Sequence, residues 1–246
     1  MPDAIFADPR LAAVYDVFDG DRGDLPAYLA IADEVGARRV VDVGCGTGSL
    51  AVVLARSGRT VIGVDPAAAS LDVARAKDGA AAVEWRLGDA GGVPACGADL
   101  AVMTGNVAQV FLTDDDWLAA LRGVRGAIRP GGHFVFETRR PGFRAWEEWA
   151  ADTGTVIRDV QGVGPVERTF ALTAVDLPLV SFRYAYRFRT DGAVLLSDST
   201  LRFRERDEIE TGLAAAGFQV LDVREAPDRP GREYVFITRR GAAPRW

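Results

Sequence analysis

The chain has 246 residues, of which 48% are hydrophobic, and a net charge of −6. That length accommodates one large domain, or one domain with a cap, around a sizeable core. The acidic balance argues against a broad nucleic-acid footprint, which needs a basic face.

No apolar run is long enough to span a bilayer, so no membrane partner is expected. Met1 to Ile5 lacks the basic and apolar regions of a secretory leader, and the expected location is cytoplasmic. With only Cys45, Cys96 and His133 as soft ligands, a Cys/His zinc site cannot be assembled, and no metal is expected.

Spaced apolar residues from Leu11 to Asp19 predict a short helix. A second helix is expected after Asp24, an N-cap residue type, with Pro26 in its first turn. Val40 to Val43 reads as a short buried strand running into Gly44-Cys45-Gly46-Thr47-Gly48, with a helix from about Ser49 to Ser57. Thr60 to Val64 is a second strand ending at Asp65, and Ala67 to Lys77 a helix. Val83 to Leu87 is a third strand ending at Gly88-Asp89, and Ala98 to Thr104 a fourth running into Gly105-Asn106. Thr113 opens a helix to about Ile128, with Asp116 three residues on, close to a capping box. Pro130-Gly131-Gly132 then leads into a strand from His133 to Thr138. Such alternation predicts right-handed parallel βαβ units.

From about Thr153 the pattern changes. Val166 to Asp176 and Val180 to Arg189 are β-rich, and Phe182, Tyr184, Tyr186 and Phe188 alternate with period two, so they share one face. Thr190-Asp191-Gly192 marks a hairpin turn before a returning strand from Val194 to Phe203. Glu205 to Ala216 reads as a helix ended by Gly217. Phe218 to Arg224 and Glu233 to Thr238 close the chain; their connection is too short for a crossover, so they should pair antiparallel. The expected fold is α/β: a doubly wound, mostly parallel seven-stranded Rossmann-like sheet with an antiparallel last strand and an inserted antiparallel β cap. The main domain is expected over 1–152 and 205–246, and the cap, on the acceptor side, over 153–204.

The run VVDVGCGTG from Val40 to Gly48 carries the most chemistry. Its glycines let the backbone take positive φ and approach a ligand closely, at the N-terminus of the next helix. A dinucleotide fingerprint is GxGxxG; here Ser49 occupies the place of the third glycine, and Asp42 stands two residues before the first. Asp65 follows Gly44 by 21 positions, a spacing suited to a carboxylate on a ribose, which serves NAD equally well. Asp89 ends the third strand, where a dinucleotide site has no comparable role for an acid.

These three strand ends together resemble the class I S-adenosylmethionine-dependent methyltransferases of small-molecule type. The resemblance covers roughly the first half of the chain and, more loosely, its last strands. It implies S-adenosyl-L-methionine as cofactor and S-adenosyl-L-homocysteine as product. Gly44, Cys45 and Gly46 would contact the cofactor through their backbone, and Asp42 would order the loop and the cofactor's amino group. Asp65 would bind the ribose, Pro66 would cover the adenine, and Asp89 would accept the adenine amino group, with Ala90 beside it in the cofactor-binding run. Thr104 would border the cofactor, while Tyr15, Asp16 and Arg22 resemble positions that close over it.

Candidate acceptor contacts are Asn106 and Gln109 after the fourth strand, Glu137 and Arg139 after the fifth, and Tyr184 and Tyr186 on the aromatic stripe. Asn106-Val107-Ala108-Gln109 lacks the proline–aromatic wall of amide-directed members. His133 begins its strand, the end away from ligands in open α/β sheets, so a structural role is expected. Trp146 and Trp149 either pack the cap or line a pocket. The expected function is in-line methyl transfer to a small-molecule acceptor, at N or O rather than C. The alternatives are RNA or protein methylation on the same fold, or a non-catalytic S-adenosylmethionine-binding module. Oligomeric state is not legible in the sequence.

Overall fold

The computed structural model describes residues 1–20 and 22–241. A one-turn helix α1 (Ala4–Ala7) precedes α2 (Pro9–Asp19) and α3 (Leu25–Glu34). Then come β1 (Arg39–Val43), α4 (Ser49–Arg56), β2 (Thr60–Asp65), α5 (Ala68–Ala76), β3 (Val83–Leu87), β4 (Ala98–Met103), α6 (Asp114–Ala127) and β5 (Ile128–Arg139). Helix α7 (Ala145–Ala151) leads into β6 (Thr155–Val160), β7 (Gly164–Asp176), β8 (Leu179–Phe188) and β9 (Val194–Arg202). Helix α8 (Arg206–Ala215), β10 (Phe218–Glu225) and β11 (Glu233–Arg240) complete the fold.

The seven-stranded sheet has the order β10-β11-β5-β4-β1-β2-β3. Only β11 runs against its neighbours, pairing antiparallel with both β10 and β5. The doubly wound fold expected from the sequence is therefore the one formed. Val40, Val41 and Val43 of β1 are almost inaccessible, as a central parallel strand covered on both faces requires. One face packs Val40, Val61, Leu100, Val102 and Val135 against α3 and α4. The other packs Met103, Phe134 and Phe136 against α6 and α8. The chain winds outward from β1 through β2 to β3, then returns to place β4 on the other side of β1. That reversal opens a crevice at the carboxyl ends of β1 and β4, where ligands of such sheets bind.

The second sheet, β6-β7-β8-β9, is wholly antiparallel. Its first strand has no forecast in the alternation pattern, because β6 is an edge strand whose residues are mostly exposed. One end of its inner face packs on α1 and α2 through Val166, Tyr186 and Phe188. The other end packs on α7 through Val180 and Phe203. Arg204 ties the exit of this sheet to the main domain, donating to the carbonyls of Phe111 (2.6 Å) and Thr113 (3.0 Å).

Local signals behave as their chemistry dictates, with two exceptions. Thr113 Oγ1 accepts from Asp116 N at 3.1 Å, and Glu205 and Glu208 form a reciprocal capping box at α8. Asp24 does precede α3, but its side chain caps nothing; both carboxylate oxygens take Arg22 instead, at 2.8 and 2.7 Å, because a guanidinium fork outcompetes a single N–H. Strand β5 begins at Ile128, ahead of the expected His133. Ile128 already pairs with Ala98, the Pro130-Gly131-Gly132 turn loops out, and pairing resumes at His133 and Leu100.

A candidate ligand cleft at the carboxyl edge of the main sheet

The glycine loop follows β1 directly. Gly44, Gly46 and Gly48 all have positive φ (71°, 53° and 79°), the region that a side chain disfavours. Gly44 N and Cys45 N both donate to Val64 O, at 2.8 and 3.1 Å, which pins the loop to the end of β2. Asp65 holds it from below: Oδ2 accepts from Gly46 N (2.7 Å) and Oδ1 from Ala67 N (2.8 Å). Each oxygen retains one lone pair for a ligand hydroxyl. Pro66 is exposed beside it.

A Cβ placed on Gly44 would lie 2.7 Å from Val107, and one on Gly48 would lie 2.4 Å from Trp85. A Cβ on Gly46 would meet nothing within 4 Å. Two glycines are thus demanded by the fold, and the third faces open space.

Asp42 is 2% exposed, and its Oδ1 has no hydrogen-bond partner among the described residues. Burial, opposed by Arg22 and reinforced by Asp65, pushes its pKa up to about 7. A buried, half-satisfied carboxylate is costly, and such a group in a cleft is a candidate ligand contact. The Cys45 thiol is pushed well up by burial and by the Asp42 and Asp65 carboxylates, so it is no nucleophile.

Helix α2 covers the loop. Asp16 accepts from Thr47 Oγ1 at 2.5 Å and pairs with Lys77, the single lysine of the chain, at 2.7 Å. Lys77 also donates to Ser49 Oγ at 2.9 Å. Tyr15 sits beside this latch, half-buried against Phe6. Arg22, held by Asp24, faces Asp42 electrostatically. On the far side of the crevice Asp89 is exposed and accepts from Gly92 N at 2.9 Å, with Ala90 buried behind it. The carboxylates of Asp42, Asp65 and Asp89 therefore end three adjoining parallel strands.

The ends of β4 and β5 carry a second, buried polar network. Thr104 is buried at the end of β4. Glu137 is 1% exposed; its Oε1 accepts from Gly105 N (2.7 Å) and Asn106 N (3.3 Å), and its Oε2 from the Tyr28 hydroxyl. It is not a solvated strand end: it holds the β4 loop, and with Tyr28 it borders a cavity beside α3. That loop needs holding, because Asn106 has φ 60°. Asn106 Nδ2 donates to Glu233 Oε1 at 2.9 Å, an orientation forced by a partner that can only accept. Gln109, fully buried, accepts from Arg139 Nη1 (2.9 Å) and donates to Arg202 O (3.3 Å).

Of the two tyrosines on the stripe, Tyr184 is half-buried and Tyr186 is sealed in the core against Phe18, with ring centroids 5.4 Å apart. Tyr186 thus packs where an acceptor contact was expected. Helix α7 turns Trp146 into the core against Phe203, while Trp149 stays half-buried with Arg139 stacked 5.2 Å from its ring centroid. His133 lies where β5 resumes its pairing after the Pro130-Gly131-Gly132 turn, opposite Arg239 of β11; burial and the nearby Arg239 and Arg129 lower its pKa. It stands a strand's length from the crevice.

Sequence reasoning missed Tyr28, Glu233 and Lys77. Tyr28 and Glu233 are recruited from segments distant in the chain, and no local pattern marks them. Glu233 becomes visible only through its register opposite Arg139. A cavity of about 230 Å³ also opens between α3 and the β10–β11 connection, walled by Tyr28, Ile31, Ala226 and Val235. No glycine-loop residue borders it.

Comparison with known proteins agrees with this geometry. Residues 40–132 match the methyltransferase domain family. The ubiquinone/menaquinone biosynthesis C-methyltransferase of Rubrivivax gelatinosus is 32% identical over 44% of this chain and 42% of its own. The malonyl-[acyl-carrier protein] O-methyltransferase of Serratia marcescens is 27% identical over 70% of this chain and 68% of its own. The alignment with the first thus spans less than half of that relative's length. A crystal structure of an S-adenosylmethionine-dependent methyltransferase from Clostridium acetobutylicum superposes with a TM-score of 0.77 at 18% identity, covering 95% of this chain and 98% of that one. Among the described residues no helix is long and apolar enough to cross a membrane.

Proposed function

We propose that this chain, which carries a class I S-adenosylmethionine-dependent methyltransferase domain, transfers the cofactor's methyl group to a small-molecule acceptor, at nitrogen or oxygen rather than carbon. The observation that carries the cofactor half of this reading is Asp42, a buried carboxylate with one oxygen unpaired at the mouth of a positive-φ glycine loop. The described residues fit the group. Asp42 offers an acceptor to the cofactor's amino group, Gly46 leaves room for close approach of the ligand, and Asp65 has free lone pairs for the ribose. Asp89 offers an acceptor to the adenine amino group. Arg22 supplies a cation beside Asp42 for the cofactor carboxylate, and Tyr15 with the Asp16–Lys77 latch covers the cleft.

S-adenosylmethionine supplies an activated sulfonium methyl, so the difficult chemistry resides in the cofactor. The protein must align and exclude water, and alignment alone contributes about 7–11 kcal/mol to a barrier. Glu137 and Tyr28 fix the β4 loop, and Glu233 fixes the Asn106 amide. The carbonyl Oδ1 of Asn106 is left without a partner; it is suited to accept the N–H or O–H of an acceptor. RNA methylation is the weaker alternative, since the chain carries a net charge of −6. The inserted sheet, 153–204, is read as the acceptor-side cap.

Calorimetry with S-adenosylhomocysteine and NAD side by side tests the cofactor reading. Heat is expected with the thioether alone; heat with NAD alone would transfer the chain to another class. Isotope-labelled S-adenosylmethionine offered to a metabolite extract tests transfer. Labelled small molecules are expected, and binding without any labelled product would leave a cofactor-binding module. Gly46→Ala probes the cradle separately from the fold. The new methyl meets nothing in the protein and costs about 1–2 kcal/mol for its left-handed backbone, a loss of roughly 2–8 °C in Tm. It should nonetheless weaken S-adenosylhomocysteine at least about tenfold by occupying the ligand's space; unchanged affinity would remove Gly46 from the cradle.

A further inference from the structure

The inner face of the cap is anchored at both ends and only partly covered in the middle. Tyr186 and Phe188 are sealed against α1 and α2, and Val180 against α7. Between these anchors Phe170, Phe182 and Tyr184 are only half-buried. Their rings adjoin at centroid distances of 5.3 to 5.6 Å, and Trp149 of α7 joins them 5.7 Å from Phe182. Aromatic walls of this kind take flat or apolar bodies.

Two guanidiniums frame that wall. Arg139 leaves the carboxyl end of β5 and lies over Trp149. Among the described residues its one carboxylate within 4.0 Å is Glu233, at 3.9 Å, and that same oxygen already takes Asn106 Nδ2 and Arg229 Nη1, each at 2.9 Å. Arg168 reaches from β7 over Tyr184, 4.9 Å from its centroid. It donates to the Phe18 carbonyl at 3.2 Å and makes no salt bridge among the described residues. Burial pulls the Arg139 pKa below the usual arginine value, with Glu233 opposing it, as befits a cation short of counter-charge. Asp19 and Asp152, the acidic groups that influence Tyr184, are both exposed, and neither pairs with either arginine. Two other half-buried arginines pair closely, Arg22 with Asp24 at 2.7 Å and Arg202 with Asp114 at 2.9 Å, whereas Arg125 and Arg240, far from the aromatic wall, also lack a salt bridge among the described residues.

We infer that the methyl acceptor is an anionic ring compound: a flat or apolar body held among Trp149, Phe170, Phe182 and Tyr184, with a carboxylate or phosphate held by Arg139 and Arg168. Arginine suits either anion, because its fork matches two oxygens at once. The inference rests on the methyl-transfer reading and supplies its substrate class. It is a statement about binding and orientation: the arginines grip the acid group and take no part in bond making.

The test uses full-length protein saturated with S-adenosylhomocysteine, whose binding is measured first. Thermal shift is then read against a panel of aromatic carboxylates and aryl phosphates, each beside its uncharged amide or alcohol. Stabilising compounds should be the anions, and carboxylates against phosphates will say which group fits. Arg139→Gln should abolish the preference for anions and leave S-adenosylhomocysteine affinity within about twofold of wild type. Arg168→Gln, on the separate sheet, should reduce the same preference even if the first variant folds poorly. Stabilisation chiefly by the uncharged partners, by neither series, or by anions equally in wild type and both variants would overturn the inference. Failure of S-adenosylhomocysteine to bind at all would instead overturn the methyltransferase reading beneath it.

Discussion

Replacing Asp42 by Asn should weaken S-adenosylhomocysteine roughly 100-fold, the worth of a buried charge-assisted hydrogen bond of about 2.7 kcal/mol, without unfolding the protein. The free carboxylate is paid for by the rest of the fold: it is 2% exposed with an unpartnered oxygen, and its pKa stands at about 7 against an ordinary 3.8. Because the folded pKa is the higher one, the native state holds a proton that the unfolded chain has released between those values. Asp42's contribution to stability is therefore fully present at low pH and is lost as pH rises through about 7. Ligand binding has the opposite sign, since the cofactor's ammonium group selects the ionised form. Affinity in the wild type should fall by about tenfold between pH 7.5 and pH 6, as one proton must leave before binding. The amide introduced by Asp42→Asn cannot titrate, so the variant's affinity should be flat across that window and its ligand-free Tm equal to or above wild type at pH 8. Calorimetry at four pH values, with a thermal melt at pH 8, measures all of this; a variant that keeps the wild-type slope would show that another group governs cofactor binding.

Glu137→Ala should be the most destabilising single change at the crevice. The substitution strands three donors at once: the Tyr28 hydroxyl and the N–H groups of Gly105 and Asn106. Asn106 and Tyr28 are 3% and 2% exposed, so water does not readily replace the lost acceptor. Unsatisfied buried donors cost about 1–3 kcal/mol each, and breaking a buried charged network about 3–5 kcal/mol overall. A fall in Tm of roughly 10 °C follows for a chain of this size. The β4 loop, with Asn106 at φ 60°, would relax as its anchor goes, so methyl transfer should fall further than cofactor affinity. Glu137→Gln separates charge from geometry. Its carbonyl can still accept from the two N–H groups, and Tyr28 can turn to accept from the new amide. That variant should recover at least half of the lost stability in a thermal melt. Equal losses for Ala and Gln would show that ionisation, and not the acceptor geometry, holds the loop.

The two sites differ in how they are written into the chain. Asp42, Gly44, Gly46, Asp65 and Asp89 could be found from sequence because each is tied to the end of a strand whose hydrophobic run is local. Spacing in the chain then equals position along the crevice. The network around Glu137 could not be found this way. Tyr28, Asn106, Glu137 and Glu233 meet only because β11 inserts antiparallel between β10 and β5, bringing residues 106 and 233 within a hydrogen bond. The aromatic stripe shows both limits at once. Period two correctly put Phe182, Tyr184, Tyr186 and Phe188 on one face, but it could not say that the last two are sealed under α1 and α2 while the first two stay half-buried.

What the sequence determined by itself is the alternation of strand and helix, the glycine turn after β1 and the acid at each of three strand ends. Those features follow from backbone conformation and from contacts a few residues apart. Only the tertiary structure decided which carboxylates are spent on the protein and which remain available. Asp24 and Glu137 are satisfied by side chains and backbone around them, whereas Asp42 keeps an oxygen unpaired. The physical reason is that hydrogen-bond satisfaction and desolvation depend on everything packed around a group, and that surrounding is assembled from segments as far apart in the chain as Tyr28 and Glu137 or Asn106 and Glu233.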